Sequence, residues 1–180
     1  MSQFVAFLRG INVGGNNKIS MKELKPALEK AGLLDVETYI QSGNIAFKSV
    51  QTGIEGMEIL IQNCIQENFG LEIPVMIVSA QYLQKIRDFV PADIETNYPP
   101  NKIFIMLLKE QPDADKVAAL NEQDHSPEKL IIGEKYVILA SPDGFSGSKL
   151  STNFLERKLK VACTARNLKT IDKMLDLVTA

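Results

Sequence analysis

The same order of apolar segments runs through this chain twice, and this repetition constrains its fold more than any single motif. In the first half, strand-like runs and helical patterns alternate at 4–8, 21–31, 36–41, 44–48, 54–69, 74–78 and 81–89. In the second half they recur at 103–108, 113–121, 129–132, 135–140, 150–159, 161–164 and 168–178. Each half therefore predicts the order β-α-β-β-α-β followed by one further helix.

Local signals indicate where these elements begin and end. Ser20 and Glu23 form a capping box ahead of the first helix, and Gly70 follows the second helix at the usual stop position. A polar stretch with three prolines separates the halves. We therefore expect a first unit at 1–90, a proline-rich linker at 91–101 and a second unit at 102–180.

The predicted order of elements is that of a ferredoxin-like unit, so the expected fold class is α+β with an internal duplication. Phe4–Leu8 and Ile103–Leu108 are apolar at every position. A strand that faces water on one side alternates polar and apolar residues, so these two strands should be covered on both faces.

Composition excludes several classes of protein. The net charge of −2 and the absence of any long Lys/Arg run argue against non-specific nucleic-acid binding. Apolar runs are too short to cross a bilayer, and the N-terminus lacks the features of a signal peptide. Cys64 and Cys163 lie inside apolar elements with no disulfide spacing. We therefore expect a cytoplasmic protein without a membrane partner; the sequence carries no signal of its oligomeric state.

The titratable residues do not form a recognisable catalytic or metal site. His125, the sole histidine, lies in a polar loop without a second ligand at useful spacing. Helical carboxylates such as Glu55 and Glu58 are expected on solvated faces. The sequence therefore predicts no metal and no cofactor, and it identifies no catalytic residue.

The segment Arg9–Lys18 concentrates glycines, asparagines and two cations between a strand and a capped helix. At such a turn, backbone N–H groups and a helix start can meet an anion. The segment is not a P-loop, because no Gly-Lys-Ser/Thr follows, and it is not a GxGxxG motif.

A second turn should lie beside this loop. The first two strands of the unit are parallel, so the loop and the Gln41–Asn44 turn leave the same edge of the sheet. The alternative is that glycines and asparagines only shape tight turns, with the cations solvated. The candidate ligand-binding residues of this edge are Arg9, Asn12, Asn16, Lys18, Gln41, Ser42 and Asn44.

The second half offers another polar cluster. The segment 146–149 leaves one strand and 164–167 leaves another, and these strands are again expected to be parallel. The cluster adds Ser148, Lys149, Arg166 and Asn167 at two helix starts as a candidate anion site. The alternative is that Ser148, Ser151 or Asn167 caps a helix while the cations face solvent.

These motifs together resemble the domain of unknown function 1697 family. The resemblance is carried by Arg9–Lys18, Thr38–Asn44, Gly147–Lys149 and Thr164–Asn167. It implies a bacterial-type cytoplasmic protein of two repeated α+β units. Within the two polar clusters, it favours a shared site of seven residues: Arg9, Asn12, Gln41, Ser42, Asn44, Lys149 and Arg166. The family usually has a Trp where this chain has Leu168. The resemblance implies no activity, substrate or catalytic residue.

Three functions remain open. The first is a cytoplasmic binding module or an uncharacterised enzyme. Its ligand would be a small anion, phosphorylated or nucleotide-like, bound at the glycine-rich loop Arg9–Lys18. The second is a protein-interaction or structural domain whose polar motifs hold the two halves together. The third, RNA binding on a sheet, has less support because segment 44–48 lacks the aromatic RRM signature.

Overall fold

The computed structural model describes residues 1–179, which form eight strands in two antiparallel sheets together with seven α-helices. The chain divides into two compact units. The first comprises Met1–Gln84 and the segment from Lys173 onward, and the second comprises Lys85–Asp172. The mixed α+β class and the two four-stranded sheets agree with the expectation from the sequence.

The first unit contains one sheet with the strand order β2-β3-β1-β4, in which all neighbours are antiparallel. Since β3 is antiparallel to both β1 and β2, these two strands run parallel and end at the same edge. The elements are β1 (Ser2–Leu8), α1 (Met21–Lys30), β2 (Leu34–Tyr39), β3 (Asn44–Ser49), α2 (Ile54–Phe69) and β4 (Val75–Ser79).

The second unit repeats this order as β6-β7-β5-β8. Its elements are α4 (Ala92–Asn97), β5 (Ile103–Leu108), α5 (Ala114–Asn121), β6 (Lys129–Ile132), β7 (Tyr136–Ala140), α6 (Thr152–Leu159) and β8 (Cys163–Asn167). Two helices, α3 (Ala80–Asp88) and α7 (Leu168–Thr179), begin in one unit and end in the other. Short 3-10 turns precede β5 at Pro100–Lys102 and follow β7 at Phe145–Gly147.

The ends of the helices follow from local chemistry. Ser20 accepts a hydrogen bond from the backbone N–H of Glu23, which satisfies one of the free donors at the start of α1. Gly70 takes a left-handed conformation with φ of 67° and ends α2. Both signals are readable in the sequence, and α2 covers the expected residues 54–69.

Both central strands are buried on both faces, as their unbroken apolar runs predict. Phe4, Ala6 and Leu8 join the core formed with the apolar faces of α1 and α2, and Val5 and Phe7 on the opposite face are also fully buried. All six residues of β5 are buried as well.

The proline-rich segment has regular structure. It contains α4 and the 3-10 turn, and an ion-pair cluster anchors it within the second unit. Arg87 donates from Nε to Asp172 at 2.7 Å and pairs through its other nitrogens with Glu95. The bond to Glu95 is the main reason why the pKa of Arg87 is raised, so this guanidinium stays charged.

In each sheet, the strand that comes last in the chain donates a backbone hydrogen bond to a glutamate on the preceding helix. Glu58 on α2 accepts the backbone N–H of Ile77 at 3.1 Å, and Glu156 on α6 accepts that of Cys163 at 2.9 Å. Glu58 is only 5% exposed, so the expectation of a solvated face is wrong for this residue. Its buried carboxyl group satisfies a backbone donor on the strand beneath the helix.

No helix within residues 1–179 combines the length and the apolar character that a membrane-spanning segment requires.

Candidate functional site

Asn12 joins the glycine-rich loop (residues 9–20) to the first hairpin turn (residues 40–43). Its side-chain amide donates to the carbonyl of Gln41 at 2.8 Å and to that of Ile19 at 3.0 Å. Its Oδ1 accepts the backbone N–H of Ile19 at 2.9 Å. The two segments are therefore neighbours at one sheet edge, as the parallel arrangement of β1 and β2 requires, and one side chain braces them.

The tip of the glycine-rich loop is a small hairpin of its own. Val13 and Asn16 form an isolated antiparallel bridge, closed by a hydrogen bond from the N–H of Asn16 to the Val13 carbonyl at 3.0 Å. Gly14 and Gly15 between them both have positive φ, at 58° and 81°. Two consecutive left-handed residues are what a tight two-residue hairpin turn requires, which explains the glycine pair.

Two further asparagines of this edge serve the backbone. Asn17, itself left-handed at φ 46°, donates to the carbonyl of Gly10 at 2.9 Å. Asn44 is fully buried, and its amide donates to the carbonyl of Tyr39 and to the hydroxyl of Ser42. Asparagine suits these positions because its short amide bonds to nearby backbone and tolerates left-handed geometry. Asn12, Asn17 and Asn44 therefore each support the backbone of this edge.

The start of α1 is less open to an anion than the sequence suggests. Ser20 already binds the N–H of Glu23, and the Glu23 carboxylate stands in the first turn. This negative charge lies where an anionic ligand would approach the helix dipole. The glycine-rich loop, not the helix start, is thus the part of this edge that remains available.

The exposed side chains of this edge come from both segments: Asn16, Lys18, Gln41 and Ser42. Arg9 is half-buried and makes an interaction of its own. Two apolar residues accompany this polar set, since Val13 is 68% exposed and Ile40 is 51% exposed.

Ile40 is also strained. Its φ is 49°, a left-handed conformation that β-branched residues very seldom adopt. Strain of this kind persists only where the surrounding structure imposes it, and it is most frequent at functional turns. The first hairpin turn is therefore held in a shape that its own sequence does not favour.

The second predicted cluster agrees with the expectation in strand direction, since β7 and β8 are both antiparallel to β5, but it differs in the extent of β8. Residues 164–167 do not leave a strand, because β8 extends through Asn167 and pairs with β5, with Arg166 opposite Ile105. The guanidinium of Arg166 lies along its own strand and donates to Thr164 Oγ1 at 3.0 Å and to the Ala165 carbonyl at 2.8 Å. Burial lowers its pKa to about 10.

The remaining residues of this cluster shape the backbone or face solvent. Asn167 accepts the N–H of Thr170 at 2.9 Å at the start of α7, and Ser148 accepts that of Leu150 at 2.9 Å within a turn. Ser151, and not Ser148, caps α6. Asn167 therefore supports the start of α7, while Lys149 is exposed.

Comparison with known proteins gives a family and a fold. A model of the family described as "Protein of unknown function (DUF1697)" matches residues 1–137. This match includes the glycine-rich loop and ends before Ser148. No curated protein matches the chain. Among solved structures, the conserved bacterial protein SP0830 from Streptococcus pneumoniae is similar, with a TM-score of 0.76 and 26% identity over 98% of both chains.

Proposed function

Because the chain belongs to the DUF1697 family, whose description states no activity, we propose its function from the geometry of the glycine-rich loop. The proposal is a cytoplasmic binding module, or an uncharacterised enzyme, for a small anionic ligand, phosphorylated or nucleotide-like. Two free, buried cysteines accord with a reducing compartment.

The brace made by Asn12 is the observation that carries this proposal. It links two segments far apart in sequence, so that both contribute to one ordered edge of the sheet. A surface that is already ordered loses little conformational entropy when a ligand binds. Lys18 and Arg9 supply positive charge there, and Asn16, Gln41 and Ser42 supply polar groups that can orient a phosphate or a carboxylate.

Thermal unfolding with a panel of nucleotides, sugar phosphates and carboxylates tests the proposal. A ligand present at a hundred times its Kd should stabilise the protein by about 2.7 kcal/mol. For a chain of this size, that corresponds to a rise in Tm of about 5–10 °C.

The matched variants are Lys18→Ala and Lys135→Ala, which each remove one exposed lysine from a loop beside a hairpin. Only Lys18→Ala should reduce the ligand-induced shift. If no anion in the panel raises Tm, or if both variants respond as the parent does, the proposal fails.

The alternative function, a protein-interaction or structural domain, is favoured by the exposure of Val13 and Ile40. These two large apolar side chains are exposed on neighbouring segments, and a protein partner that covered both would remove their apolar surface from water. Replacing both with serine should abolish capture of such a partner and leave any ligand-induced Tm shift unchanged. RNA binding remains the least supported function, and we expect no salt-dependent RNA affinity.

We also propose that both units descend from one ferredoxin-like β-α-β-β-α-β unit by duplication. The two sheets share one strand order, β2-β3-β1-β4 and β6-β7-β5-β8. In both units a glutamate also accepts a backbone hydrogen bond from the last strand: Glu58 on α2 accepts one from β4, and Glu156 on α6 accepts one from β8. A solved structure of a single-unit relative with the same contact would support this origin.

A further inference from the structure

A groove of about 580 Å³ opens in the second unit, and no residue of either polar cluster is among those that line it. It lies between the segment that precedes β5 and the ends of β6 and β7. Its volume falls within the range of small-molecule sites. The side chains that matter for its chemistry are Asp93, Ile94, Tyr98, Pro99, Lys102 and Lys129.

The register of the sheet explains why two lysines line this groove. Lys129 pairs with Ala140 on β7, and Ala140 pairs in turn with Ile103 on β5. Lys102 immediately precedes Ile103, so the two lysines enter the groove from either side of the narrow Ala140. Neighbouring strands are about 4.8 Å apart, which places their backbones about 10 Å from each other. Both long side chains can reach one small ligand across that distance.

The loop after β7 packs against the side chain of Lys102. Gly144 has φ of 79° and ψ of −177°, a conformation that is essentially restricted to glycine. A Cβ atom at this position would lie 3.1 Å from Lys102 Nζ, so the ammonium group sits directly against the glycine. The buried Ser141 fastens this arrangement by donating from its N–H to the Lys102 carbonyl and from its hydroxyl to the Gly144 carbonyl.

The charges of the groove are not neutralised internally. Within residues 1–179, the ammonium groups of Lys102 and Lys129 and the carboxylate of Asp93 have no hydrogen-bond or ion-pair partner. The wall next to them is apolar, formed by the buried Ile94 and by Tyr98 and Pro99. Two unpaired cations beside an apolar wall are suited to an anionic head group carried by an apolar body.

We propose that this groove binds a small organic monocarboxylate. Its carboxylate lies between Lys102 and Lys129, and its apolar body rests on Ile94 and Tyr98. Asp93 repels a second negative charge, so the groove favours a carboxylate over a doubly charged phosphate monoester. The site is independent of the glycine-rich loop, which lies in the other unit.

Amide chemical shifts from NMR spectra test this proposal, with benzoate as the probe and benzamide as its uncharged isostere. Benzoate should produce saturable shifts at the amides of Asn97, Tyr98 and Gly144, and benzamide should not. Phenyl phosphate should bind more weakly than benzoate, and Asp93→Asn should reduce that difference.

The variants that test the two cations are Lys102→Gln and Lys129→Gln, singly and combined. The combined variant should raise the Kd for benzoate by about tenfold or more, the equivalent of one lost charge-assisted hydrogen bond. Lys135→Gln, an exposed lysine of the same unit outside the groove, should leave the Kd unchanged.

Three results would overturn the groove site: no saturable shift with benzoate, equal shifts with benzamide, or unchanged affinity in the combined variant. Shifts confined to Gly14 and Gly15 would also overturn it, while they would support anion binding at the glycine-rich loop. The two proposals can therefore fail separately.

Discussion

Replacing Gly43 with alanine tests whether the stability of the protein depends on close packing between the first hairpin turn and the residues beneath it. Gly43 has φ of 80°, and a Cβ added there would lie 2.6 Å from Leu8 Cβ and 2.8 Å from Ile11 Cδ1. Ile11 Cδ1 can move aside because it ends a flexible side chain. Leu8 Cβ cannot, because it is attached to the backbone of the buried strand β1.

The cost of Gly43→Ala has two parts. Left-handed geometry costs a residue with a Cβ about 1–2 kcal/mol, and one extra methyl group in a packed site adds about 1–3 kcal/mol. The free energy of unfolding should thus fall by about 2–5 kcal/mol, which lowers Tm by about 4–20 °C.

Two other glycines separate these parts in urea denaturation. Gly15 has φ of 81° with open space around it, so Gly15→Ala should show the conformational cost alone, about 1–2 kcal/mol. Gly56 lies in α2 with open space and without a positive φ, so Gly56→Ala should stabilise the protein by about 0.5–1 kcal/mol. If Gly43→Ala costs no more than Gly15→Ala, the packing argument is wrong.

Three further outcomes are expected. Asn12→Ala should lower the free energy of unfolding by about 1–3 kcal/mol, because it leaves backbone groups unpaired, whereas Asn16→Ala should be nearly neutral in the same urea assay. Glu58→Ala should lower the free energy of unfolding by about 1–3 kcal/mol, because it leaves the N–H of Ile77 without an acceptor. Glu58→Gln keeps an acceptor and should lower it less. Equal losses in the two variants would contradict this role of Glu58. Burial raises the pKa of the Cys64 thiol, so less of it is thiolate at mildly alkaline pH than in a free cysteine. Its labelling by a disulfide reagent should therefore be slow in the native protein, should accelerate as the pH rises, and should be fast in concentrated urea.

The elements with clear periodic patterns are predictable from the sequence. α2 is found at its expected residues because its apolar spacing and the following glycine act in the same direction. The neighbouring positions of the glycine-rich loop and the first hairpin turn are also predictable, since they follow from strand direction alone. The identity of the brace is not, because the asparagines of the loop look equivalent in sequence and only their three-dimensional surroundings distinguish Asn12 from Asn16.

The end of β8 and the burial of Glu58 could not be read from local sequence. Charged and polar residues at 166 and 167 are typical of a loop, but pairing with β5 extends the strand through them. Glu58 is typical of a solvated helical face until the strand donor beneath it is known. The shared groove of Lys102 and Lys129 could not be predicted from sequence either, because it depends on the register of the sheet.

The carboxylates that Glu58 and Glu156 place against the last strands also affect how molecules of this protein meet at high concentration. An edge strand with free backbone groups is a template on which another chain can add. On β4 and β8 a backbone donor is already occupied from within the chain, so an incoming strand would have to displace a glutamate. The opposite edges are poor templates for other reasons. β2 has an irregular register with a left-handed Asp35, and β6 has only four residues. Both edges of each sheet therefore carry a feature that disfavours growth by an added strand.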